Sequence, residues 1–275
     1  MTGTGTTGRV SLFSSCLPRW DAPRVVKLAG VLGFDAVEWG VGQGQAVESP
    51  RAGPALRRLC DRAGLSSCGV SVQQPGVNLG TPRRAERYVQ LATELGAAFL
   101  RVFAPPSGSG AFASAQRRAR AGVDALVAAC RGTDVAVLVE TSPSTLAPSP
   151  ELAATLVEHH PPSDAGVLYD PGNTVIEGYL EPRLAVARLG PHLRHVHVKN
   201  IAWSRSNQRW RWRYAALADG QVDWRETLTV LAASPYRGRF SIDHLAAAPS
   251  RRLVRTETET LQRLITGATR STKRR

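Results

Sequence analysis

The stretch "LRHVHVKN" at residues 193–200 puts His195, His197 and Lys199 at alternate positions, with Val196 and Val198 between them. An extended strand sends successive side chains to opposite faces. Three ionisable groups therefore share one face and two valines the other. Other short apolar runs carry an acid at or near their end: Glu38 in "FDAVEW", Glu140 in "DVAVLVE", Asp170 in "AGVLYD" and Asp243 in "RFSID". The same alternation sets Ala136, Leu138 and Glu140 against Val135, Val137 and Val139, and Ser241 and Asp243 against Phe240 and Ile242. Carboxylates gathered in one place repel one another, so a cation must offset them or their pKa values must rise. Glu140, Asp170, His197 and Asp243 make an oxygen-rich set with one imidazole, suited to a single divalent ion: Mn2+ first, then Mg2+ or Co2+, and Zn2+ last. Taken alone, a strand-end acid is more often a helix cap or loop hydrogen-bonder, and Asp170 could serve the turn "DPGN" in that way.

The elements that must position these groups recur with one rhythm. Apolar runs near 9–14, 34–39, 66–72, 97–103, 134–140, 165–170, 193–199 and 239–243 are each followed by a helical pattern. Glycines such as Gly33, Gly64 and Gly96 fall where helices stop. Eight strand–helix units without an internal break predict an α/β fold, a single (β/α)8 TIM barrel over residues 9–266. An open doubly wound sheet would carry a glycine-rich turn after its first strand, and "SSCLPRWDAP" is not one. In a barrel, active-site groups stand at the C-terminal ends of the strands, which is where the acids fall. His195 lies one pleat deeper than His197 and suits a supporting or substrate-contacting place rather than a ligand. His159, His160 and His192 fall at helix ends or in loops and read as surface residues.

The bulk properties bound the function. The chain has 275 residues, 43% hydrophobic, and a net charge of +13. No run is apolar enough to span a membrane, and residues 1–8 read as a flexible leader without a signal-peptide core. Six of the thirteen surplus positive charges lie in residues 251–275, so residues 267–275 read as a solvated basic tail and nucleic acid is not the expected partner. Cys16, Cys60, Cys68 and Cys130 are scattered without metal or redox spacing, as in a cytoplasmic protein with reduced thiols. A homodimer is compatible with all of this. The bias towards arginine over lysine, which occurs only at Lys27, Lys199 and Lys273, makes a lysine in the 193–200 strand mildly informative.

The order of "GFDAVEWG", "LRVFAP", "VLVETSPSTL", "GVLYDPGNTVIEGY", "HVHVKN", "GQVDW" and "FSIDH" resembles the xylose-isomerase-like barrels, a group that holds sugar-phosphate isomerases and epimerases, dehydratases and the endonuclease IV branch. The resemblance implies one divalent metal on Glu140, Asp170, His197 and Asp243. It also implies Glu140 and Asp243 as an acid/base pair on opposite faces of a ketose, and Asn173 as a substrate contact. Glu38, Arg101 and Lys199 would line the same mouth. Lys199 or His195 would polarise a substrate oxygen. One departure bears on mechanism: the last acid of the family pattern is usually Glu, and Asp243 is shorter by about 1.5 Å, one C–C bond. His244 follows it and should point towards the helices.

Between the seventh strand and its helix lies a long segment, residues 201–221, with the alternating run "RWRWRY". Such a segment reads as a lid or binding loop, with Arg209, Arg211 and Arg213 on one side and Trp210, Trp212 and Tyr214 on the other. Trp210 is a candidate for stacking on a sugar. The expected function is a metal-dependent isomerase or epimerase acting through an enediolate on a small polyhydroxy carbonyl compound. A lyase or dehydratase using the same chemistry is the nearest alternative. A repair nuclease would need more histidines than strands three and six offer, and a non-catalytic sugar-binding barrel is the remaining class.

Overall fold

A computed structural model describes residues 9–42, 44–73, 82–108, 110–245 and 247–272. Eight parallel strands close into a barrel: β1 (Val10–Phe13), β2 (Ala36–Val41), β3 (Ser66–Val72), β4 (Phe99–Phe103), β5 (Ala136–Glu140), β6 (Ala165–Tyr169), β7 (Leu193–Val198) and, after a hairpin of β8 (Asn200–Ser206) and β9 (Arg209–Ala215), β10 (Phe240–Ile242). The order around the barrel is β1-β10-β7-β6-β5-β4-β3-β2. The helices are α1 (Ala22–Leu32), α2 (Gly53–Arg62), α3 (Pro82–Leu95), α4 (Phe112–Ala129), α5 (Pro150–Val157), α6 (Pro171–Glu177), α7 (Pro182–Leu189), α8 (Trp224–Ala233) and α9 (Arg251–Thr272). The predicted barrel is therefore present. The leader at 1–8 lies outside the described residues. The last helix runs to Thr272, through most of the segment that composition assigns to a basic tail.

Strand alternation divides the core as expected. Val37, Trp39, Val137, Val139, Val196, Val198, Phe240 and Ile242 join the apolar layer beneath the helices. The other face of the strands fills the barrel axis. Its lower layer is a small apolar group, Phe99, Leu138 and Leu168, and the Phe99 ring lies 4.7 Å from that of His195. Helix boundaries follow local chemistry. Asp21, Ser149, Asp170 and Asp223 each accept a backbone N–H in the first turn of their helix, and Gly33 ends α1 in the left-handed region at φ 75°.

Two features differ from the sequence expectation. The turn "DPGN" opens a helix of its own, α6, before α7. The 201–221 segment is built on an antiparallel hairpin whose first strand, Asn200–Ser206, shows no sequence alternation. Its two-residue turn places Asn207 and Gln208 at φ 49° and 60°, the primed geometry that matches strand twist. All four cysteines are buried and unpaired, and no helix among the described residues is long and apolar enough to cross a membrane.

Gly69 is where the interior tolerates no side chain. A β-carbon there would sit 2.0 Å from Phe99 Cζ, and Phe99 is itself wedged against His195. Gly69→Ala should destabilise the fold by about 1–3 kcal/mol, read as a lowered urea midpoint with an unchanged slope; an unaltered midpoint would contradict this packing.

Candidate metal centre at the barrel mouth

The acids converge. Glu140 at the end of β5, Asp170 after β6, His197 on β7 and Asp243 after β10 offer ligand atoms that all lie within 4.8 Å of one another, and all four residues are buried. The register pairs Glu140 with Leu168 and His197 with Ser241, so Asp170 and Asp243 each stand two residues beyond the neighbouring strand's partner, just past the strand ends and over the barrel mouth.

The orientation of His197 is set from below. Its Nε2 donates to both oxygens of Glu38, at 2.9 and 3.1 Å. Glu38 is fully buried and also accepts from Ser71 Oγ, while His195 Nε2 lies 3.2 Å from its Oε2. Hence His197 Nδ1 is turned into the acid cluster, 3.4 Å from Glu140 Oε1 and 3.9 Å from Asp243 Oδ2, and it makes no hydrogen bond. A carboxylate on one imidazole nitrogen with the other aimed at acids is the usual support of a metal-ligating histidine. Glu38 was expected to line the mouth. It lies beneath His197 instead, because β2 continues three residues past it to Val41. His195, one pleat deeper, reaches Ser241 Oγ at 2.7 Å and Glu38, not the mouth.

Two permanent cations sit among the acids. Lys199 Nζ bridges Asp170 Oδ2 and Asp243 Oδ2, at 2.6 and 2.7 Å. Its stem passes so close to α6 that a β-carbon on Gly172 would meet it at 2.7 Å. Arg101 Nε lies 3.0 Å from Glu140 Oε2, and its Nη1 donates to the Val72 carbonyl. Three carboxylates, Glu140, Asp170 and Asp243, thus face two fixed cations, which leaves a residual negative charge that a bound cation would offset. Burial pushes every one of these acids towards neutrality. For Asp170 burial prevails over Lys199, with Asp243 and Glu140 adding to it, and its pKa is pushed up to about 6. For Glu140 the Arg101 guanidinium and His197 overcome burial and hold the carboxyl below its ordinary value. Asp243 is held well below by His244, Lys199 and His197 against the same desolvation. His197 is raised well above its ordinary value because Glu38, Asp243 and Glu140 outweigh its own burial.

The polar residues nearby have assignable places. Asp170 both caps α6, accepting from Asn173 N–H through Oδ1, and turns Oδ2 to the cluster. Asn173 Nδ2 donates to Glu140 Oε1 at 3.2 Å and to the Thr141 carbonyl, so it aims the carboxylate. His244, expected to face the helices, instead touches Asp243: its Nδ1 is 2.7 Å from Oδ2, and its ring stacks on Tyr214 at 4.3 Å. The strand ends at Ile242, and alternation does not govern residues beyond it. Trp210 stands near the hairpin tip, 65% exposed, away from the cluster. It shares one hairpin face with Trp203, Arg205, Trp212 and Tyr214, while Arg209, Arg211 and Arg213 share the other. The aromatic face leans from α6, where Trp203 Nε1 donates to the Val175 carbonyl, across to His244.

A sequence comparison with curated proteins finds no match. Solved structures do resemble the fold. A D-tagatose 3-epimerase-like protein superposes with a TM-score of 0.77 at 18% identity, covering 96% of this chain and 99% of that one. A xylose isomerase-like TIM barrel protein from Mycobacterium smegmatis, in complex with magnesium, gives 0.74 at 17%, covering 98% and 100%. A probable 3-DHS dehydratase from Bacillus anthracis gives 0.70 at 17%, covering 92% and 98%. The family model described as xylose isomerase-like TIM barrel matches residues 26–264, and with that span the chain belongs to the xylose isomerase-like TIM barrel family.

Proposed function

We propose that this protein is a divalent-metal-dependent isomerase or epimerase of a small polyhydroxy carbonyl compound, a sugar or sugar phosphate. The observation that carries the reading is the buried, unbonded Nδ1 of His197 facing three carboxylates from three other strands. A divalent ion held by Glu140, Asp170, His197 and Asp243, Mn2+ before Mg2+, Co2+ or Zn2+, would polarise a carbonyl and its neighbouring hydroxyl and acidify the C–H between them. The resemblance in fold to an epimerase-like protein and to a magnesium-bound barrel supports this.

Glu140 is the base. Arg101 and Asn173 each hold one of its oxygens, which keeps it ionised and fixes its direction. It takes the C–H proton and returns it to the adjacent carbon, and the Lys199 ammonium meets the negative charge that grows on the substrate oxygen as the enediolate forms. Asp243 faces the cluster from the other side. Its Oδ2 is already engaged by Lys199 and His244, and its side chain is one methylene short of the family's usual Glu, so a single base acting on one face, which isomerises, is the favoured form of the reaction, and epimerisation would need Asp243 to protonate the opposite face. The aromatic face of the hairpin, from Tyr214 out to Trp210, offers rings to the C–H face of a sugar. Dehydration is the second reading: one base next to a leaving hydroxyl suffices for it, and a probable dehydratase shares the fold. Four buried, unpaired cysteines support a reducing, cytoplasmic setting.

Glu140→Gln should lower kcat/KM by about 10²–10⁴-fold, the usual share of a general base, and abolish deuterium uptake into substrate in D2O, followed by NMR across a panel of ketoses and ketose phosphates. Uptake at the wild-type rate would remove Glu140 as the base. Glu38→Gln touches no substrate yet loosens His197, so Mn2+ affinity by calorimetry should fall about 10–100-fold; unchanged affinity would contradict the support assigned to Glu38.

A further inference from the structure

At the opposite end of the barrel a second set of ligand-type side chains converges. His159 and His160 follow α5, and Asp124 stands on α4, 35 and 36 residues earlier in the chain. Both imidazoles aim Nε2 at the same oxygen, Asp124 Oδ1, at 2.7 and 2.8 Å. Their ring centroids are 4.2 Å apart, and the three ligand atoms lie within 4.8 Å of one another. The turn that carries them is held in place: His160 N–H donates to the Val157 carbonyl, and His192 Nε2 contacts the His160 carbonyl at 3.1 Å. The cluster borders a surface cavity of about 950 Å³ that gives solvent access and is lined by Asp134, Asp164, Arg131 and Arg194 as well as by Asp124 and His160.

We propose that Asp124, His159 and His160 form a second metal site, selective for a borderline-soft ion such as Zn2+. Two imidazole nitrogens forked onto one carboxylate oxygen share either two protons or one cation. Zinc ligated at about 2.0–2.1 Å sets neighbouring ligand atoms about 3.3 Å apart. The two nitrogen–oxygen spacings, 2.7 and 2.8 Å, must open to reach this, and the Asp124 side chain, 52% exposed, has room to swing outward. The two nitrogens favour Zn2+ over Mg2+ and Mn2+, the reverse of the oxygen-rich mouth, so the two ends of the barrel select different ions. Solvent supplies the fourth position. The bound ion ties α4 to the turn before β6 at the face of the barrel that serves stability.

Zinc binding to the full chain, measured by calorimetry with Mg2+ in excess, tests this. The wild type should bind one more Zn2+ than the His159→Gln/His160→Gln variant, and Asp124→Asn should weaken that ion at least tenfold while Mg2+ binding stays as in the wild type. The three residues are at the surface, so far-UV circular dichroism should confirm that both variants fold. Equal zinc stoichiometry and affinity in the wild type and the double variant would overturn the site and leave only a hydrogen-bonded clamp.

Discussion

The structure is organised around an electrostatic problem: Glu140, Asp170 and Asp243 are carboxylates buried within a few ångströms of one another in a barrel mouth, with Glu38 buried beneath them. Removing such groups from water is costly unless each is paired. The protein pairs them unequally. Glu38 is spent on two imidazoles and a serine, below the mouth, where it acts through His197. Glu140 is given the one guanidinium, so it stays ionised. Asp170 and Asp243 share a single ammonium, and Asp170 is left with a raised pKa of about 6. The residual negative charge and the free imidazole nitrogen fall in the same place, which suits the cluster to the cation proposed for it better than to a completed ion-pair network.

Supporting contacts reach outward from this centre. Trp224 of "GQVDW" donates through Nε1 to the Lys199 carbonyl. Asn200 binds the Leu217 and Val222 carbonyls through Nδ2 and accepts from Ile201 and Val222 N–H groups through Oδ1. A β-carbon on Gly220 would strike Asn200 at 2.1 Å, so a glycine there lets the hairpin root close. The hairpin is thus anchored to the strand that carries His197 and Lys199, and its aromatic face rises from the same point.

Much of this was legible from local pattern. Period-two alternation and terminal acids placed Glu140, Asp170, His197 and Asp243 together, because in a parallel barrel the end of a strand is also a height along the axis. The misplacements have physical sources. Glu38 was read as a strand end, but β2 runs on to Val41, so the same alternation puts it deep. His244 lies past the last strand residue, where alternation no longer applies. Asn200–Ser206 lacks a period-two pattern, and its pairing with the Arg/Trp run is fixed by the turn at Asn207 and Gln208. The union of Asp124 with His159 and His160 is purely tertiary: α4 and α5 must pack before two surface histidines meet an acid 35 residues away.

The most direct test of the central claim is anomalous diffraction at the manganese edge from crystals grown with Mn2+. The account predicts a peak within bonding distance of Glu140, Asp170, His197 Nδ1 and Asp243, with His197 Nε2 still on Glu38. A mouth with no peak, its acids bridged by Lys199 alone under saturating Mn2+, would contradict it.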